Sequence, residues 1–282
     1  MGKAIYRGVG NVARKVKQPY VGVGGVARKI KNGYAGVGGV ARQFFSGGTP
    51  ISSISVGSTI TLNVKSVPSE FIVVHHGIPS GTSEYDSTFN NGTWLLMKNV
   101  YTVAGSYSYT MNGEYLDFAH SKIYDYLNTT FLNLLDSDVR SAIKRVNLPY
   151  YYKDMYYVNN WDNPYVDCPE DTSGITTIST KVFLLSCGEI GWRALTEITA
   201  GAPLDYFSTM SYEDSGRIAY HSTNSYAATW WLRDPVTSSV SVDSKQYMRA
   251  VGSNGKCAGY HYSQNYYLRP ALILPSNTSV SV

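Results

Sequence analysis

Cysteine is scarce in this chain: Cys168, Cys187 and Cys257 are the three copies in 282 residues. No two of them form a CxxC pair, and so dispersed a set excludes a disulfide framework and a cysteine-rich zinc module. They are expected to be free or buried thiols, made in a reducing compartment. Charge is thin as well, 16% of residues against about 25% in ordinary globular chains. Acid is missing altogether from residues 1–47, since the first carboxylate is Glu70, yet that stretch carries nine of the 24 Lys and Arg. The rest is left with 15 basic and 20 acidic residues, a net of −5. A basic arm on an acidic body implies two parts with different partners. No apolar run approaches about 18 residues, so no membrane insertion is expected. The N-terminus lacks the apolar core of a secretory signal, so none is expected there.

Patterns of catalysis are missing too. His75 and His76 are neighbours in a strand-like segment, so their side chains face opposite ways and do not chelate together. His120, His221 and His261 have no partner at ligand spacing. There is no nucleophile elbow and no zincin pattern. The expectation is a binding protein and not an enzyme, with no cofactor and no metal. A glycosidase-type carboxylate pair stays open, because such pairs are not adjacent in sequence.

What is abundant is tyrosine, 25 copies, beside many Ser, Asn, Thr and Gly. Tyrosine gives large contact area with few torsions to freeze, and small polar residues adapt their hydrogen bonds, which is the chemistry of a paratope. The competing reading is an ordinary extracellular β-rich surface.

Three copies of one 14-residue unit open the chain: YRGVGNVARKVKQP from Tyr6, YVGVGGVARKIKNG from Tyr20 and YAGVGGVARQFFSG from Tyr34. Gly10-Asn11, Gly24-Gly25 and Gly38-Gly39 supply two-residue hairpin turns. Val9/Val12, Val23/Val26 and Val37/Val40 flank those turns and are expected to pair across strands. Gly22–Ala27 also reads GxGxxA, but it recurs every 14 residues, with no following helix and no acid, so nucleotide binding is not expected. The basic stripe, including Arg14, Arg28 and Arg42, is read as solvated or protein-docking, not as a nucleic-acid site. Hairpins this short do not bury their own faces. Three in a row make only a thin sheet that needs other copies or a particle to pack against.

After an FFSGGTP linker (44–50), strands are expected at Ile54–Val64, Phe71–His76 and Trp94–Lys98. An amphipathic helix is expected over Ser121–Leu135, and a second over Ser137–Val146 capped by Asp136. Tyr150–Asp171 reads as an irregular loop. Lys181–Leu185 reads as a buried strand, and Ser186 with Glu189 as the capping box of a short helix. Further strands are expected at Trp230–Arg233, Met248–Val251 and Leu268–Leu274. Two helices, then short strands and long loops, give an α+β class.

Trp230-Trp231-Leu232-Arg233-Asp234-Pro235, then Val251-Gly252-Ser253-Asn254-Gly255, then Leu268-Arg269-Pro270-Ala271-Leu272 close the chain. This ending resembles the "WWLRSP … VNSDG … VRPAL" ending of a phage and prophage domain, and is similar to the C-type-lectin-like variable proteins of diversity-generating retroelements, which include phage tropism determinants. Two departures stand out: Asp234 replaces the usual Ser, and Tyr267-Leu268 replaces Gly-Val, which puts the local turn in question. The calcium tripeptides of sugar-binding C-type lectins are absent. The resemblance covers roughly residues 48–282, and the N-terminal repeats also resemble those that precede this domain in phage proteins.

The resemblance implies a C-type-lectin-like domain over 48–282 and an assembly or attachment arm over 1–47. Its variable-type loop face falls at about 223–267. It implies a phage-type receptor-binding protein on a virion tail or outside the cell, made in the bacterial cytoplasm. The implied partners are a host-surface receptor, protein or glycan, and a tail or fibre protein, within a homotrimer joined through residues 1–47. A bacterial surface adhesin or carbohydrate-binding module is the alternative. The expected ligand face is one exposed patch of Tyr247, Arg249, Ser253, Asn254, Tyr260, His261, Tyr262, Asn265 and Tyr266, with Trp230–Arg233 and Arg269–Leu272 as framework. Adenine-directed diversification is compatible with all of that patch except Tyr247, for which nothing is inferred, and also with Ser263. Met248, Lys256 and Gln264 would be fixed or encoded otherwise.

Overall fold

The computed structural model describes residues 49–102, 105–108, 117–152, 174–192, 199–210, 215–221, 225–236 and 247–280, together with the backbone of 6–9, 12–15, 20–23, 26–29, 32–37, 40–46, 155–157 and 165–167. Among these, strands dominate and helices are few and short. No described helix is long and apolar enough to cross a membrane.

Each N-terminal unit closes on itself. Tyr6–Val9 pairs with Val12–Lys15, Tyr20–Val23 with Val26–Lys29, and Asn32–Val37 with Val40–Ser46. The registers place Val9 opposite Val12, Val23 opposite Val26 and Val37 opposite Val40. The hairpins stay as three separate two-stranded sheets and do not merge into one thin sheet. Pairing across a two-residue turn closes the shortest loop, so it costs the least chain entropy.

The body is built on a five-stranded antiparallel sheet. Its spatial order is Val182–Phe183, Ala271–Pro275, Gly92–Met97, Val67–His76 and Thr59–Val64. The central strand Gly92–Met97 is buried along its whole length, so it reads as a continuous apolar run and not as an alternation. Trp94 stacks on Phe89 at 5.2 Å and meets Tyr85 and Phe183 edge-on. Thr49–Pro50 pairs with Ser279–Val280, which ties the two ends of the body together.

A second, three-stranded sheet runs Trp230–Pro235, Tyr247–Val251 and Cys257–His261, with the last at its edge. Its first strand carries an irregularity between Trp231 and Pro235. That bulge frees Arg233 from the ladder, and its N–H donates instead to the Leu185 carbonyl at 3.1 Å. A bulge re-aims side chains, and here it turns both Arg233 and Asp234 into the interior, each 0% exposed.

Several expected elements differ. The first strand begins at Thr59, not Ile54, because Ile51–Ser53 forms a 3₁₀ turn and the chain bends before Thr59. The first helix spans Lys122–Leu134 and begins at Ser121, whose hydroxyl accepts from Tyr124 N–H. It contains a π-turn, Leu127–Phe131. Asn128 anchors that turn, donating to the Val182 carbonyl at 2.9 Å and accepting from Thr180 Oγ1 at 2.9 Å and Lys181 N–H at 3.1 Å. The second helix is only Ser137–Ala142, since Val146 already starts a strand, Val146–Tyr152, paired with Gly174–Thr180. Asp136 makes no capping bond because Asn63 Nδ2 holds its carboxylate at 2.8 Å. Tyr150–Tyr152 is therefore strand and not loop, and part of the stretch beyond it forms the hairpin Met155–Tyr157/Tyr165–Asp167. Ser186 and Glu189 make the expected reciprocal bonds, both 3.0 Å, but around a turn and not a helix. The strand expected over Leu268–Leu274 is Ala271–Pro275, and Tyr267-Leu268 lies in isolated bridges to Trp230 and Tyr101.

Candidate ligand-binding face

The face rests on a buried polar hub. The Glu189 carboxylate, fully buried, accepts from Arg233 Nη1 at 2.5 Å and Nη2 at 2.7 Å, from Tyr85 Oη at 2.8 Å and from Ser186 N–H. Arg233 also donates to the Pro149 and Leu184 carbonyls. Asp234 Oδ2 accepts from Cys187 N–H at 2.6 Å. Burial pushes the Asp234 carboxyl up to about 6, against the pull of Arg233. Among the described residues Arg269 forms no ion pair; it lies over the Trp230 ring at 4.9 Å and donates to the Met97 and Lys98 carbonyls. Desolvation lowers it to about 10. Trp230, Trp231, Leu232, Arg233, Arg269, Pro270, Ala271 and Leu272 are all buried, as expected of a framework.

From this framework an aromatic ladder runs outward. Trp231, 0% exposed, meets Tyr266 at 5.0 Å, and Tyr266 meets Tyr260 at 4.9 Å. Tyr260 is only half exposed because the register sets it opposite Met248, on the core side of the hairpin. Burial raises the phenols of both Tyr260 and Tyr266. On the other side of the same hairpin, Tyr247 faces His261 at 5.7 Å, and His261 stacks on Tyr262 at 4.6 Å. The 261–265 turn is held by Gln264 N–H on the His261 carbonyl and by Ser263 on His261 Nδ1 at 2.7 Å. Ser263, Gln264 and Asn265 are exposed at its tip. Residues 258–267 include no Asp, Glu, Lys or Arg, so this rim offers aromatic rings, hydroxyls and amides beside the His261 imidazole.

The nine expected face residues do not form a single patch. Tyr247, Tyr260, His261, Tyr262, Asn265 and Tyr266 gather at one end of the hairpin. Ser253 and Asn254 are exposed at its other end, in the turn closed by Gly252 N–H on the Lys256 carbonyl. Four residue steps of strand, about 13 Å, separate the two ends. Tyr260 spans part of that gap, since a Cβ on Gly252 would meet its hydroxyl at 3.1 Å. Arg249 must be withdrawn from the exposed patch. It is 8% exposed and its guanidinium lies 4.9 Å over the Trp192 ring, a cation–π packing that holds it in the interior. Residues 223–224 and 237–246 of the expected loop face lie outside the described residues.

Neighbours without a sequence signal complete the face. Tyr107–Ser108 pairs with Asn265–Tyr266, and the Tyr107 carbonyl accepts from Trp231 Nε1 at 2.7 Å. Tyr126 packs on Tyr107 at 4.9 Å. Tyr226 bonds Tyr267 through their hydroxyls at 2.8 Å and stacks on His221 at 4.9 Å. Away from the face, His120 has a hydrogen-bonding partner, which is not a metal-ligand set. Its Nδ1 lies 2.8 Å from Asp117 Oδ2, a carboxylate buried under it three residues before.

Residues 91–276 match the model of the family described as a domain of unknown function, DUF6273. This chain belongs to the DUF6273 family. No curated protein and no solved structure matches it. The DUF6273 region holds Glu189, Arg233, Asp234 and every candidate face residue, while Tyr85 of the hub and the strands Thr59–Val64 and Val67–His76, which complete the five-stranded sheet, precede it.

Proposed function

We propose that this DUF6273 chain is a phage-type receptor-binding protein in which residues 48–282 form a C-type-lectin-like domain and the 261–266 rim binds a host-surface ligand. One observation carries the reading: a tyrosine-rich rim without Asp, Glu, Lys or Arg is mounted through Trp231 and Tyr266 on a buried framework. Aromatic groups locked at a surface give contact area with little entropy left to lose, which is what a recognition site requires. The basic hairpin arm of residues 1–47 serves in this reading to join three copies and attach them to a tail or fibre. The test is binding of the purified full chain to cells of the host strain. Tyr262→Ala and Asn265→Ala are expected to abolish cell retention while leaving the melting curve in place. Unchanged retention in both variants would remove the rim from the reading.

A further inference from the structure

Cys187 and Cys257 are 70 positions apart in the chain, yet their sulfurs lie 3.5 Å apart in the interior. Both thiols are free and buried. Cys187 sits in a tightly fixed turn. Its N–H is held by Asp234, its carbonyl accepts from Trp192 N–H, and the preceding Ser186 hydroxyl donates to the Ala200 carbonyl. Cys257 opens the edge strand Cys257–His261 and is opposite Val251. Among the described residues that strand is held by ladder bonds on one side only, and its far end carries His261 of the candidate face.

We propose that Cys187 and Cys257 are a modification site that closes to an intramolecular disulfide when the protein meets a low-molecular-weight disulfide, fastening the edge strand to the Cys187 turn. The sulfurs need to approach by about 1.5 Å to reach bonding distance. The exchange runs in two displacements. The Cys257 thiolate attacks one sulfur of the small disulfide and releases one small thiolate. The Cys187 thiolate then displaces the second. Two protein thiols are oxidised, the small disulfide is reduced to two thiols, and the two protons pass to the released thiolates. Burial holds the Cys187 thiol above its usual range, so exchange proceeds when the edge strand opens and is slow while it is closed. The inference does not depend on the function proposed above.

The test uses the full reduced chain, incubated with oxidised or reduced glutathione in mildly alkaline buffer with a little urea, then alkylated and mapped by mass spectrometry. The expected product is a Cys187–Cys257 linked peptide, with Cys168 outside the link. Its melting temperature is expected to rise by roughly 5–15 °C, as for a long loop closed in a large domain, and to fall back on reduction. Oxidised Cys257→Ser, or Cys187→Ser should the first fail to fold, is expected to show no such rise. Absence of the linked peptide, a link to Cys168 in its place, or an oxidised form that melts no higher than the reduced one would each overturn the proposal.

Discussion

Glu189→Gln probes the hub on which the candidate face is mounted. The carboxylate is fully buried and accepts four hydrogen bonds, two from Arg233, one from Tyr85 and one from Ser186 N–H. An amide of the same shape offers one acceptor oxygen and turns an NH₂ toward a guanidinium that also donates. Arg233, 0% exposed, is then a buried cation that has lost its hydrogen-bonded carboxylate and keeps only the electrostatic pull of Asp234. Breaking a buried pair from one side costs about 3–5 kcal/mol, so the melting temperature should fall by roughly 6–20 °C for a domain of this size. Urea denaturation followed by tryptophan fluorescence measures it directly. The control is the double variant Glu189→Leu/Arg233→Met, which removes both charges and should recover most of the loss, since apolar replacement of a buried pair is often neutral. A loss under about 1 kcal/mol in Glu189→Gln, or no recovery in the double variant, would refute the claim that the pair is desolvated and mutually dependent.

Trp231→Ala removes a fully buried ring and its bond to the Tyr107 carbonyl, so unfolding free energy should drop by about 3–5 kcal/mol, read by the same denaturation. Asp234 binds a proton in the folded state up to about 6, above its ordinary 3.8. The stability it contributes is therefore fully present below 3.8 and is lost as pH rises to about 6, a change of roughly 3 kcal/mol; Asp234→Asn should gain on the parent chain over that window in urea melts, and a gap that stays constant with pH would sink the argument. Tyr266→Ala, tied to Trp231 and Tyr260, should cost about 1–2 kcal/mol of stability, whereas Tyr262→Ala should stay within about 0.5 kcal/mol, and both should weaken cell binding by about 2 kcal/mol. Deleting residues 1–47 should convert a trimer to a folded monomer in sedimentation; a monomeric full-length chain would remove the arm from assembly.

Local chemistry made much of this molecule legible in sequence. The valines flanking each Gly-Gly or Gly-Asn turn have only one short closure available, so their pairing follows. Ser186 and Glu189 are three residues apart, and their reciprocal bonds follow from that spacing whether or not a helix continues. The partnership of Glu189 with Arg233 is 44 residues long and depends on a bulge after Trp231, a backbone irregularity with no residue signature here. Arg249 shows the same limit from another side. Its neighbour Tyr247 faces outward, and period-2 alternation sends Arg249 to that same side. Trp192, some 57 positions earlier in the chain, covers that side, so an outward-pointing arginine becomes a buried one. Tyr260 and Tyr107 were obscured for a related reason: which tyrosines reach solvent depends on strand register, set by the Gly252–Lys256 turn and by pairing of Tyr107 with Tyr266. A tyrosine-rich loop thus announces that a recognition surface is chemically affordable, but the division of its rings between anchor and contact is decided by distant segments that close over it. On the proposed reading the rings tied to Trp231 serve as anchors and those stacked on His261 as contacts, and substitutions in the two groups should separate in stability before they separate in binding.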